Sequence, residues 1–218
     1  MKKRETRLIL ALDVLSRNKA LELVGSLGSY FDAIKVGYPL ILAGGLGILK
    51  EISSLAPVIA DLKIADIPNT NRLICEEALR AGACGLIAHA FPGQDSLKAC
   101  VKSTRDYGAD LFAVTEMSHP GASEFMAPLA ESLAKAAVEA GATGVVAPAT
   151  RPERIKLIRS IIGDKIIISP GVGAQGGSAA DAIKAGADYL IVGRSITGAD
   201  DPVAEAERVL SQVKASLP

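Results

Sequence analysis

Short, continuously apolar runs recur along this 218-residue chain, each too short for a helix and too uniformly apolar for a strand with one face in water. They are Leu8 to Leu12, Ala33 to Val36, Val58 to Leu62, Gly85 to Ala88, Leu111 to Thr115, Gly144 to Val146, Ile166 to Ile168 and Tyr189 to Val192. Buried parallel strands fit that pattern. Successive runs start 22 to 33 residues apart, which accommodates a strand, a loop, a helix of about three turns and a return.

The segments between the runs carry helix signals. Thr150-Arg151-Pro152-Glu153 reads as a capping box with proline in the first turn, and Asp201-Pro202 opens the last helix in similar fashion. Ala81-Gly82-Ala83, Ala140-Gly141-Ala142 and Ala185-Gly186-Ala187 each stand just before a strand, where glycine can take the left-handed cap that turns the chain back. Eight such units, with no linker and no shift in composition, predict an α/β fold: a single closed (β/α)8 TIM barrel of eight parallel strands over residues 1–218. An open doubly wound sheet fits less well.

Composition narrows the function classes. Lysine and arginine (24) balance aspartate and glutamate (24), and the only basic run is Lys2-Lys3-Arg4, so the field that a nucleic-acid polymer binder needs is missing. The longest uncharged stretch, Ile166 to Ala180, holds Pro170 and four glycines and falls short of the ~18 apolar residues of a spanning helix. Met1 to Leu12 mimics a signal peptide only superficially, because Glu5 and Arg7 interrupt it. Cys75, Cys84 and Cys100 have no metal-ligand spacing and read as buried free thiols. A cytoplasmic protein without membrane contact is expected.

A barrel locates its chemistry at the C-terminal ends of the strands. Asp13 follows the first run, Lys35 and Gly37 close the second, and Asp61, Lys63 and Asp66 run off the third; Ser118 and His119 follow the fifth. Asp61 and Lys63 are two apart, so on a strand they share a face and enter the barrel mouth. With Lys35 and Asp13, four charges of alternating sign converge from three strands, more than packing requires. Flanking carboxylates keep Lys63 an ammonium, better suited to donate a proton than to attack as a free amine. A third carboxylate brought by a substrate would be repelled, and loss of carbon dioxide would relieve that repulsion.

After the seventh run, Ser169-Pro170-Gly171-Val172-Gly173-Ala174-Gln175-Gly176-Gly177 contains a formal G-x-G-x-x-G. A dinucleotide fold would place this motif at its first strand and follow it with an acidic residue; neither condition holds. In a barrel, glycine loops after strands 7 and 8 cradle phosphate with backbone amides and the positive end of a short helix, and Arg194 after Gly193 adds a bidentate charged donor. His89 ends the fourth run and lacks a second ligand at metal spacing, so a hydrogen-bonded structural role is expected. Ser118 could hydrogen-bond a substrate amide; no nucleophile-elbow context surrounds it.

Asp61-Leu62-Lys63-Ile64-Ala65-Asp66-Ile67-Pro68-Asn69-Thr70 resembles the D-x-K-x-x-D-I-P-x-T signature of the orotidine 5′-monophosphate decarboxylase family in its short archaeal form. Leu8 to Asp13, Lys35 to Pro39, Thr115 to Gly121, Ser169 to Gly177 and Val192 to Ser195 resemble the rest of the family pattern, in order. The resemblance implies a homodimeric barrel that converts orotidine 5′-monophosphate to uridine 5′-monophosphate and carbon dioxide without metal or organic cofactor. It casts Lys63 as proton donor to C6, Asp61 as the carboxylate beside the substrate's carboxyl group, and Lys35 and Asp13 as ribose-side members of the network. Asp66, Ile67 and Thr70 resemble residues that reach the neighbouring subunit's site. Ser118 resembles the pyrimidine contact, and Pro170, Gln175, Gly193 and Arg194 resemble the substrate and phosphate grip. A second reading resembles 3-hexulose-6-phosphate synthase, with D-x-K-x-x-D but a magnesium ion and an enediolate; Ile67 to Thr70 and Ser118-His119-Pro120 argue against it. A third is a non-catalytic nucleotide-binding barrel.

Overall fold

In the computed structural model, which describes residues 5–216, eight parallel strands close in sequence order: β1 (Leu8–Leu12), β2 (Ala33–Gly37), β3 (Val58–Ile64), β4 (Gly85–His89), β5 (Asp110–Val114), β6 (Gly144–Val146), β7 (Ile166–Pro170) and β8 (Tyr189–Val192). Strand β8 pairs back onto β1, with Leu190 opposite Leu8. The barrel expected from the apolar runs is therefore present. Strands β3 and β7 each run two residues further toward the mouth than their apolar runs, and Thr115 lies just outside β5.

Period-2 alternation sorts each strand between two cores. Ile9, Ile59, Phe112, Val146, Ile168 and Tyr189 form part of the cluster on the barrel axis. The intervening residues, such as Leu8, Leu10, Ile34 and Leu190, pack outward under the helices. Gly85 makes room inside, since a β-carbon there would meet Ile59 Cγ1 at 3.3 Å and Phe112 Cε2 at 3.4 Å. Followed to the mouth, the same inward faces change from apolar to charged: Ile9 and Ala11 lead to Asp13, Ala33 to Lys35, and Ile59 to Asp61. The barrel is thus filled below and charged above on its β1 to β3 side.

Helices α1 (Arg17–Leu27), α2 (Tyr38–Gly44), α3 (Ile48–Ser53), α4 (Pro68–Arg80), α5 (Gln94–Asp106), α6 (Ala122–Phe125), α7 (Ala130–Ala140), α8 (Pro152–Ile162), α9 (Ala179–Lys184), α10 (Arg194–Thr197) and α11 (Pro202–Ala215) cover the outside. The longest spacing between runs, from Leu111 to Gly144, holds both α6 and α7 and a 3₁₀ turn, Ala127–Leu129, between them. Asp201 caps α11 as expected, its Oδ1 accepting from the amides of Val203 and Ala204 at 3.0 Å each, a cap contributing ~1 kcal/mol. Gly82, Gly141 and Gly186 all have positive φ, at 97°, 86° and 111°, as their positions before strands require.

The capping box at Thr150 does not form. Helix α8 begins at Pro152 with Arg151 as its N-cap and no side-chain cap, because the Thr150 hydroxyl instead donates to the Ser118 carbonyl oxygen at 3.1 Å. The three cysteines are free, but only Cys75 and Cys100 are buried. Cys84 is half-buried, with its thiol directed at the Val58 carbonyl oxygen. Among the described residues, no helix is long and apolar enough to cross a membrane.

Candidate active site

A cavity of about 200 Å³ occupies the C-terminal end of the barrel. Asp13, Lys35, Asp61 and Lys63 line one side. Asp61 sits between the two lysines: Lys35 Nζ donates to its Oδ2 at 2.8 Å and Lys63 Nζ to its Oδ1 at 2.8 Å. Lys35 Nζ also lies 3.8 Å from Asp13 Oδ1. Asp61 and Lys35 are buried, whereas the side chains of Lys63 and Asp13 are 33% and 45% exposed. The network thus has a dry centre and two wet ends facing the cavity.

Burial penalises both central charges, and their partners outweigh it. Desolvation would lower the Lys35 pKa, but Asp61 and then Asp13 hold it above the usual lysine value. Burial would raise that of Asp61, yet Lys35 and Lys63 keep it below the ordinary carboxylate range. Each ion is therefore sustained by the others.

Ser118, Pro170, Gln175, Gly193 and Arg194 also line the cavity. The loop after β7 folds on itself: the Gly177 amide donates to the Gly171 carbonyl oxygen at 2.9 Å and the Gly176 amide to that of Gly173 at 2.7 Å. Gly171 has φ +104°, and a β-carbon there would lie 2.9 Å from Thr150 Cγ2 and 3.2 Å from Ser118 Cβ, so both backbone shape and close approach demand glycine. Arg194 opens α10 beside this loop, facing the cavity. A glycine loop and a guanidinium converging on one opening can hold a phosphoryl group.

Asp66, Ile67 and Thr70 do not line the cavity. Asp66 and Ile67 are exposed, Ile67 at 65%, and Thr70 is half-buried in the first turn of α4. The loop is nonetheless fixed. Buried Asn71 accepts from the Asp66 amide at 3.0 Å and donates to Ser96 Oγ at 2.7 Å, while Ser96 Oγ donates to the Asp66 carbonyl oxygen at 2.8 Å. This Asn71–Ser96 brace was not foreseen, since a buried asparagine one turn into a helix leaves no periodic signal.

His89 departs from its expected hydrogen-bonded role. Its Nδ1 is buried without a partner among the described residues, and its ring tilts against Phe91 with centroids 4.8 Å apart. Burial first, then the neighbouring positive charge of Lys63, push its pKa down to about 4. A neutral imidazole beside an ammonium avoids adding another cation to the mouth. Sequence reasoning also passed over the apolar wall of Ile87, Val114, Met117, Val146 and Ile191, although inward alternation of the strands would have identified four of these.

The family model described as "Orotidine 5'-phosphate decarboxylase / HUMPS family" matches residues 6–209. The chain is 60% identical to the orotidine 5'-phosphate decarboxylase of Methanococcoides burtonii, over 96% of this chain and 98% of that protein. It is 51% identical to that of Thermococcus kodakarensis over 96% and 97%. Its fold superposes with a TM-score of 0.90 on the orotidine 5'-monophosphate decarboxylase of Methanocaldococcus jannaschii complexed with the inhibitor BMP, at 45% identity over 94% of this chain and 97% of that one. The Pyrococcus horikoshii enzyme gives a TM-score of 0.88 at 44% identity over 95% and 99%. With sequence and fold in agreement over nearly the whole length, the chain belongs to the orotidine 5'-phosphate decarboxylase / HUMPS family.

Proposed function

We propose that this chain is a carboxy-lyase that decarboxylates orotidine 5′-monophosphate to uridine 5′-monophosphate in pyrimidine biosynthesis; its relatives are named orotidine 5'-phosphate decarboxylase. The observation that carries the reading is the position of Lys63. Its ammonium is anchored 2.8 Å from Asp61 at the cavity wall, with the loop after β7 on the far side of the barrel and Arg194 lining the same cavity. With phosphate held at Arg194, Gln175 and the amides around Gly193, the nucleotide spans the mouth with its base against Ser118 and its ribose toward Lys35 and Asp13.

The bond between C6 and the carboxyl carbon then breaks heterolytically. Carbon dioxide leaves and the electron pair stays on C6 in the ring plane. The Lys63 ammonium, already oriented, stabilises that charge as it develops and delivers a proton to C6. Asp61 lies beside the departing carboxylate, and its two lysine partners keep it ionised there. Pro170 and the loop bearing Gln175 close over the base, so that binding energy from the remote phosphate organises the reacting end.

Asp66, Ile67 and Thr70 belong, on this reading, to the site of a second subunit in a homodimer, which accounts for a braced loop that presents an exposed isoleucine away from its own cavity. The free thiols suit a cytoplasmic setting. The synthase-like alternative needs carboxylates available to magnesium, whereas both Asp61 oxygens are engaged by ammonium groups.

The test is the ultraviolet absorbance change of orotidylate with and without a chelator, together with product analysis. Equal turnover to uridine 5′-monophosphate in both is expected. Turnover abolished by the chelator would favour the metal-dependent reading, and tight uridine 5′-monophosphate binding without turnover the non-catalytic one.

A further inference from the structure

Immediately beyond β5, Glu116 is fully buried and does not line the cavity. Its two oxygens are divided between two arginines: Oε1 accepts from Arg151 Nε and Oε2 from Arg154 Nε, both at 2.8 Å. Each guanidinium uses a second nitrogen on a backbone carbonyl. Arg151 Nη2 donates to the Met117 oxygen at 2.6 Å and Arg154 Nη2 to the Ala127 oxygen at 2.6 Å. Met117 and Ala127 bound the excursion that carries Ser118, His119 and α6. One carboxylate therefore sets two forks that hold both ends of the Ser118 loop, and Thr150 adds a hydrogen bond to Ser118 itself.

Folding does not call for this arrangement. Both arginines stand at the N-terminus of α8, the end at which the helix dipole disfavours cations. Apolar side chains can replace buried arginine–carboxylate clusters without loss of stability. What such a cluster supplies is direction, because a planar fork fixes the carbonyl it grips in angle as well as distance. We propose that Glu116 is a positioning residue for Ser118: through Arg151 and Arg154 it presets the loop so that the Ser118 hydroxyl meets the pyrimidine without rearrangement. The inference rests on the assignment of Ser118 to base contact made above.

Glu116→Gln keeps the shape but turns an amide N–H toward one guanidinium, so one arginine loses the anchor that aims its fork at the carbonyl. The variant is compared with wild type in two backgrounds, native and Ser118→Ala, by kcat/KM for orotidylate and by Kd for uridine 5′-monophosphate. If Glu116 acts through Ser118, Glu116→Gln lowers kcat/KM by about 10- to 100-fold in the native background, the scale of a misplaced contact. In Ser118→Ala it then has less than about a twofold effect. Equal losses in both backgrounds, or none in the native one, would overturn the proposal. Arg154→Lys, which retains charge but cannot form the fork, runs the same cycle if Glu116→Gln fails to fold. The Kd arm needs no turnover, so an inactive wild type would refute the decarboxylation reading while the coupling of Glu116 to Ser118 is still decided.

Discussion

Lys63 places its ammonium 2.8 Å from Asp61 Oδ1 from a backbone held at φ +41°. The left-handed region costs a residue with a β-carbon ~1–2 kcal/mol. The strain coincides with a slip in the ladder between β3 and β4, where Ala60 opposes Leu86 but Ile64 opposes Ala88. The extra length of β3 turns the end of the strand into the mouth. Backbone strain at a charged residue facing a cavity marks a position held for its side chain.

Two substitutions separate these contributions. Lys63→Ala and Lys63→Gly should each lower kcat by at least ~10²–10³-fold, the scale for losing a preorganised donor, while binding of a phosphorylated product analogue persists. Lys63→Gly should also be more stable than Lys63→Ala by ~1 kcal/mol, because only glycine is unstrained at this φ. Denaturant unfolding of the two variants checks the difference. Equal stabilities would mean that the backbone there is not strained, and near-normal turnover in either would remove Lys63 from the chemistry.

Arg194→Ala should reduce kcat/KM for orotidine 5′-monophosphate about 10- to 100-fold, the range for a lost hydrogen bond to a charged group. It should matter little for the corresponding nucleoside, which offers the guanidinium nothing to hold. Steady-state kinetics on both substrates provide the check. Matching losses would assign Arg194 to the architecture of the mouth.

The barrel was legible because its signal is repetitive: eight buried strands must be apolar on both faces, and the charges interrupting them fall where a barrel presents its chemistry. The Asp61–Lys63 pair was legible for the same reason, as two charges in a run otherwise occupied by Val58, Ile59, Leu62 and Ile64. Contacts between distant segments and departures from regular geometry were not. Nothing in Thr150 or its neighbours discloses that its hydroxyl serves the β5 loop rather than its own helix, and local spacing cannot reveal the ladder slip at Lys63. His89 failed for a further reason. A histidine at a strand end looks like a hydrogen-bonded residue until the adjacent ammonium is placed.

That histidine makes stability depend on pH. A folded-state pKa of about 4 against ~6.5 when unfolded means that the unfolded chain binds more protons between these values. His89 therefore favours the unfolded state progressively as pH falls from about 6.5 to about 4. Asp61, whose pKa is lowered by Lys35 and Lys63 against its own burial, adds its loss only below the ordinary carboxylate range. Urea unfolding from pH 7 to pH 4 should give a falling midpoint in the wild type and a flatter profile in His89→Leu. Parallel profiles would place the acid sensitivity elsewhere.

Asp66 stands three residues after Lys63 yet outside the cavity that Lys63 enters, a relationship that invites a test of sharing between subunits. The Asn71–Ser96 brace fixes its main chain, and a two-fold axis beside the mouth would let each such loop reach the other site reciprocally. Lys63→Ala and Asp66→Ala homodimers should each be nearly inactive. Unfolded together in equal amounts and refolded, they should form mixed dimers in about half of all pairings. In each mixed dimer one site carries both lesions, and the other combines an intact Lys63 with an intact Asp66 from its neighbour. Activity should then return to roughly a quarter of wild type under random isologous pairing. Absence of recovery, with subunit exchange demonstrated by differential labelling, would put Asp66 in its own chain's site and remove the catalytic requirement for a dimer.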